Sequence, residues 1–148
     1  MRQGIQTNFK HEELRKWGCY FFTLCYWVCE AFSMDFTDDE IIAKFEEYKK
    51  RKFIDWQGNS RTWIGDNAFI NAPTLIFNDL SNHAGYFTKV DRTTTVPLTK
   101  RFPVFFDGKI THFALGQLID SKVVIIKDSW SPSALERGLQ ITNYRIFS

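Results

Sequence analysis

The run Cys19–Phe32, CYFFTLCYWVCEAF, constrains this chain more than any other feature, because it is apolar nearly all round. A strand is seldom so long, and a surface helix keeps a polar face, so the run suits a helix buried on every side. Such a helix needs other elements wrapped about it and is expected at the centre of the fold. Tyr, Phe and Trp also favour sheets, but Glu30-Ala31 and the length decide for helix. The run falls short of the roughly 18 consecutive apolar residues that a membrane span requires, so no integral membrane association is expected. Arg15-Lys16, Trp17–Val28 and Ala31-Phe32-Ser33 imitate the three parts of an export signal. The three Cys and bulky aromatics inside the run, and Glu12-Glu13 ahead of it, favour core over signal, which points to the cytoplasm, with release from a phage or an unusual route as the other possibility.

Wrapping such a helix takes large side chains, and 17% of the 148 residues are aromatic. Large buried area per residue lets one domain over residues 1–148 fill a core. The net charge of +2 is too weak to make nucleic acid or an anionic surface the default partner. Cys19, Cys25 and Cys29 are odd in number and lack a C-x-x-C pair, while His11, His83 and His112 are scattered. Neither a disulfide framework nor a zinc site is expected, and no metal or cofactor.

Around the central helix the other elements read more locally. Thr37-x-x-Glu40 is a capping box, Asp38 and Asp39 suit the positive end of a helix dipole, and Ile41, Phe45 and Tyr48 recur at helical spacing. The basic run Lys49-Lys50-Arg51-Lys52 closes that helix, where cations complement the dipole. Asp55–Asn71 is rich in Gly, Asn and Asp and reads as a loop that lines a cleft, with Trp56, Trp63 and Phe69 as candidate cleft aromatics. Pro73 opens a short helix to about Leu80. Sheet follows: Phe102–Phe106 and Ile110–Leu118 flank Asp107-Gly108 as a type I′ hairpin, Val123–Ile126 is β-branched as in the middle of a sheet, and Ile141–Phe147 adds a last strand. Helices first and antiparallel strands second make an α+β domain, with helices packed on one face of the sheet.

Chemistry concentrates at Cys19, where a polar stretch becomes a buried helix and the dipole favours a thiolate. Cys25 and Cys29 lie deeper and read as inert core thiols. A nucleophilic cysteine needs a base on a rigid element, which selects His112 on a strand over His83 in a loop and His11 in a mobile N-terminal segment. Asp128 on the next strand is the candidate orienting acceptor. A two-residue turn at Asp120-Ser121 would point Asp128 away from His112, so their pairing demands an odd loop or a bulge.

Cys19 at a helix start, then His112, then Ile125-Ile126-Lys127-Asp128-Ser129-Trp130, resembles the Cys, His, Asn-Ser-Trp order of papain-like cysteine peptidases. Asp128 replaces the usual Asn, and Tyr20 stands where the family usually has Gly. The short length, Gln6 ahead of the cysteine and Thr111-His112-Phe113-Ala114-Leu115-Gly116 look most like the small bacterial C39-like branch. The resemblance implies a papain-like fold, a Cys19–His112–Asp128 catalytic set, and an oxyanion hole of Gln6 and the Cys19 N–H. It also implies that Trp130 covers the His–Asp hydrogen bond. It further implies hydrolysis of a peptide or isopeptide bond in a protein, a leader peptide or a peptidoglycan stem peptide. The alternative is a non-catalytic phage- or plasmid-type accessory protein that binds a peptide in the same cleft. Oligomeric state has no signature in these residues.

Overall fold

In the computed structural model, which describes residues 1–148, the first helices are α1 (Glu12–Trp17) and α2 (Cys19–Phe32), divided only by Gly18. A Cβ at Gly18 would meet the Leu14 carbonyl oxygen at 2.5 Å, so the tight junction requires glycine. Helix α2 takes the centre as its apolar run demands: Phe21, Phe22, Leu24, Cys25 and Val28 are all buried. Each large side chain removed from water there contributes about 1.5–3 kcal/mol. The segment that imitates an export signal is therefore the middle of the core.

Helix α3 (Asp38–Lys50) starts at the expected capping box, with Glu40 N–H donating to Thr37 Oγ1 and Thr37 N–H to Glu40 Oε1, each at 3.1 Å. It buries Ile41, Phe45 and Tyr48. Its basic end is tied into ion pairs, Lys49 with Glu13 at 2.5 Å and Arg51 with Asp79 at 3.1 Å. Strand β1 (Lys52–Ile54) follows the helix, and the stretch Asp55–Asn71, expected to be a loop, holds its hairpin partner β2 (Ser60–Thr62) and then a 3-10 turn at Asp66–Ala68. Helix α4 (Pro73–Leu80) opens at its proline. No helix is long and apolar enough to cross a membrane.

Strands β3 (Val90–Thr93), β4 (Arg101–Asp107), β5 (His112–Ile119), β6 (Lys122–Lys127) and β7 (Gln140–Phe147) form one antiparallel sheet in the order β3-β7-β4-β5-β6. The α+β expectation holds. Phe147 and Leu115 join the helices in the main core. A smaller cluster of Phe102, Val104, Phe106, Ala114 and Tyr144 is closed by Ala134.

Two strand expectations are corrected. Val123–Ile126 is an edge strand, because β6 pairs only with β5 while β7 returns to the far side of β4, which leaves β4 in the middle position. Its β-branched run fits nonetheless, since Val123 and Ile125 pack on the smaller cluster and Ile126 on the main core. The Asp107-Gly108 connection is not a two-residue turn: Phe106 faces His112, which leaves Asp107–Thr111 as the loop. Gly108 has no positive φ, as a type I′ turn would need, and Asp107 Oδ1 instead accepts from the Gly108 N–H at 2.8 Å.

Candidate active site

The turn between β5 and β6 is made by Asp120 and Ser121, at φ 51° and 64°. It sets Ile119 against Lys122 and Gly116 against Ile125, a register that would send Asp128 to the face opposite His112. A bulge between Leu115 and Gly116 then shifts the pairing so that Leu115 faces Lys127. Continued by one residue, the shifted register lays Asp128 beside Ala114, on the face that His112 shares. The bulge required for these two residues to meet is present.

They meet at hydrogen-bond distance, His112 Nε2 to Asp128 Oδ1 at 2.6 Å. Asp128 also accepts from Trp130 N–H at 2.9 Å and, through Oδ2, from Ala134 N–H at 2.8 Å. Burial works against its charge, but these bonds and the imidazole outweigh burial and hold the carboxyl below its ordinary range. A carboxylate only accepts, so Nε2 carries the hydrogen and Nδ1 presents its lone pair. His112 is fully buried, and Nδ1 makes no hydrogen bond. Trp130 lies flat against the imidazole, with ring centroids 3.6 Å apart and planes 23° from parallel, which keeps water from the His–Asp bond.

Cys19 and His112 line one cleft of about 610 Å³, walled by the start of α2, by Asn67–Asn71, by β3 and by Arg145 of β7. Asn67 and Ala68 hold positive φ, 55° and 52°, and the Ala68 N–H donates to Glu13 Oε2 at 2.9 Å, which pins that wall to α1. Cys19 is half-buried at the first position of α2. Burial pushes its thiol up to about 11, against the pull of the Phe113 and Tyr20 N–H groups, and the Asp128 charge adds to the rise. The expected dipole-favoured thiolate is thus corrected. Helix α1 runs into α2 with one residue between them, and Tyr20 stacks on Phe113 at 4.0 Å, so the sulfur sits in apolar surroundings. Cys25 is buried, and Cys29 is half-buried with its thiol also raised to about 11 by burial.

Gln6 is not at the cleft. It is buried, its Nε2 donates to the Arg15 carbonyl at 3.1 Å, and its Oε1 accepts from Ser129 Oγ at 2.6 Å. These bonds belong to a clasp in which Gln3–Thr7 lies along Ile126–Ser131. Gln3 bonds the Ile126 carbonyl at 2.7 Å and accepts from the Asp128 N–H at 2.8 Å. Gly4 N–H donates to the Asp128 carbonyl at 2.9 Å. The site reading of Gln6 is corrected accordingly: it holds the Asp128 loop in place and does not face a substrate. Gly4 itself has φ 69°, and a Cβ there would strike Ser131 Cβ at 2.7 Å.

The cleft aromatics are corrected too. Trp56 is 91% exposed at the tip of the β1–β2 hairpin, held there by the Asp55 turn. Trp63 is 7% exposed in the core, stacked on Tyr48 at 5.4 Å beneath the Arg51 guanidinium. Phe69 does line the cleft, as does the unforeseen Trp17. His11 is anchored rather than mobile: it caps α1 by accepting from the Leu14 N–H at 3.3 Å and meets Glu46 at 2.7 Å. Arg92 and Arg145 also escaped sequence reasoning. The available signal was a charged residue at 145, an inward-facing position two residues before the buried Phe147.

Comparison with known proteins adds one result. No curated protein and no solved structure matches the chain. A family model described as "Protein of unknown function, DUF261" matches residues 1–148, so the chain belongs to the DUF261 family.

Proposed function

We propose that this chain is a cysteine hydrolase of papain-like fold that cleaves a peptide or isopeptide amide with Cys19, His112 and Asp128. The observation that carries the reading is the buried His112–Asp128 pair beneath Trp130, in which His112 Nδ1 makes no hydrogen bond, with His112 and Cys19 lining the same cleft. The order of elements supports it, since the cysteine opens a central helix, the histidine starts β5 and the acidic residue directly follows β6, the neighbouring strand of the same sheet.

Because the resting thiol is neutral, proton transfer accompanies attack instead of preceding it. Sγ adds to the amide carbonyl carbon while its proton passes to His112 Nδ1, and the Cys19 N–H is the donor retained for the oxyanion. The imidazolium gives that proton to the departing amine, leaving a thioester on Cys19. Water then adds with His112 as base, the acid is released, and the thiol is restored. Asp128 keeps Nε2 protonated and stabilises the transient imidazolium.

A second reading, a peptide-binding protein without catalysis, is favoured by the raised thiol and by the lack of any hydrogen bond to Nδ1. Labelling with a short peptidyl vinyl sulfone at pH 7, located by peptide mass spectrometry, separates the two. Hydrolase chemistry gives saturable labelling of Cys19 alone that falls about 10²–10⁴-fold in His112→Ala. Slow, equal labelling of all three cysteines, indifferent to His112, leaves the binding reading.

A further inference from the structure

Beside Cys19 the cleft carries positive charge that nothing in the chain neutralises. Arg92 of β3 and Arg145 of β7 are directly opposed partners, so their side chains share a face, and both line the cleft. Like charges so placed repel, yet neither guanidinium forms an ion pair with a carboxylate. Asp91, the acidic residue of that wall, is held by Lys89 at 3.3 Å.

Arg145 is positioned with some care. Its guanidinium lies over Phe113 and Phe105, 5.1 and 5.6 Å from the ring centroids. Its Nη1 donates to Asn143 Oδ1 and to the Tyr144 carbonyl, and Nε and Nη2 donate to nothing. Those two groups form the fork that takes a carboxylate in bidentate fashion. Tyr20, stacked on the other partner of Arg145, Phe113, has a buried hydroxyl with no hydrogen-bond partner. A buried hydroxyl without a partner is a standing cost to the fold, which an incoming acceptor would relieve.

We propose that Arg92, Arg145 and the Tyr20 hydroxyl form a carboxylate-binding subsite next to Cys19, so that the cleft takes peptides bearing a free carboxylate close to the bond presented to the thiol. Carboxylate binding stands on this geometry, and its role in substrate choice rests on the hydrolase reading. The carboxylate is either the C-terminal group of the peptide or an Asp or Glu side chain.

The test measures binding by calorimetry on the Cys19→Ala chain, where no turnover occurs. The probes are N-acetyl-trialanine as free acid, its C-terminal amide, and N-acetyl-Ala-Glu-Ala amide. The free acid or the Glu peptide should bind at least about tenfold more tightly than the neutral amide, the scale of a charge-assisted bidentate bond. A preference for the free acid identifies a C-terminal carboxylate, and a preference for the Glu peptide identifies a side chain. Arg145→Gln should erase the preference, and so should Arg92→Gln, which lies on an exposed edge strand and leaves the core untouched. Equal binding of all three probes, binding of none tighter than about 1 mM, or a preference that survives Arg92→Gln would overturn the proposal. If the vinyl sulfone fails to label Cys19 while the acid preference persists, the hydrolase reading falls and the subsite remains.

Discussion

Nε2 of His112 and Oδ1 of Asp128 stand 2.6 Å apart because a single bulge in the β5–β6 ladder brings two strands' side chains onto one face. Removing the bulge would turn Asp128 away without altering either residue. Deletion of Ile126, the extra residue of the bulged strand, is therefore expected to abolish Cys19 labelling by the vinyl sulfone as completely as His112→Ala does. Circular dichroism on the same sample should still report a folded sheet, and full labelling of a folded deletion variant would refute the account.

Asp128→Ala should be worse than Asp128→Asn. Alanine loses the acceptor for His112 and leaves the Trp130 and Ala134 N–H groups unsatisfied, a destabilisation of about 1–3 kcal/mol for each buried donor. Asparagine keeps one carbonyl oxygen for His112. Urea denaturation midpoints and labelling rates measured together should rank wild type above Asn and Asn above Ala.

Gln6 separates two roles cleanly. As part of the clasp, Gln6→Ala strands the Ser129 hydroxyl and should lower stability by about 1–3 kcal/mol. An oxyanion donor would behave otherwise, with the rate falling and the denaturation midpoint unchanged. Observation of the second pattern would return Gln6 to the cleft.

Stability should be lost at both ends of the pH scale. Asp128 has a depressed pKa in the fold, so its contribution is full above the unfolded carboxylate value of about 3.9 and is lost as pH falls through the lower folded value. Cys19 and Cys29 have pKa values raised to about 11, so between the unfolded thiol value of about 8.5 and 11 the unfolded chain sheds protons that the fold retains. Thermal unfolding should therefore shift downward from about pH 8.5, and Cys19→Ala should flatten that limb.

At the capping box, Thr37→Ala should cost about 1 kcal/mol and leave labelling of Cys19 unchanged, since α3 does not reach the cleft. Chemical denaturation of the variant gives the number.

What could be read from the residues alone follows from how local each signal is. The buried helix, the Thr37 cap and the Pro73 start are written within a few residues, and all three form where expected. The Asp128 geometry was legible as a condition, because strand parity shows that a two-residue turn alone fails. Long-range choices left no comparable trace. Nothing near Ile141–Phe147 says that the last strand inserts beside β4, which is why Val123–Ile126 became an edge. Gln6 and Trp63 carry the right chemistry for a site, yet an amide can bond a loop as readily as a substrate, and an indole fills a core as readily as a cleft. Arg145 is intelligible only beside Arg92, a partner 53 positions earlier.

The clasp between Gln3–Thr7 and Ile126–Ser131 joins segments about 125 positions apart in the chain. On a ribosome adding roughly 5–20 residues per second, the glutamines emerge some 6–25 s before the loop they hold. For most of that interval helix α2 is already made while His112 and Asp128 are not, so the buried pair that the clasp holds in place forms only after the strands of the sheet have emerged.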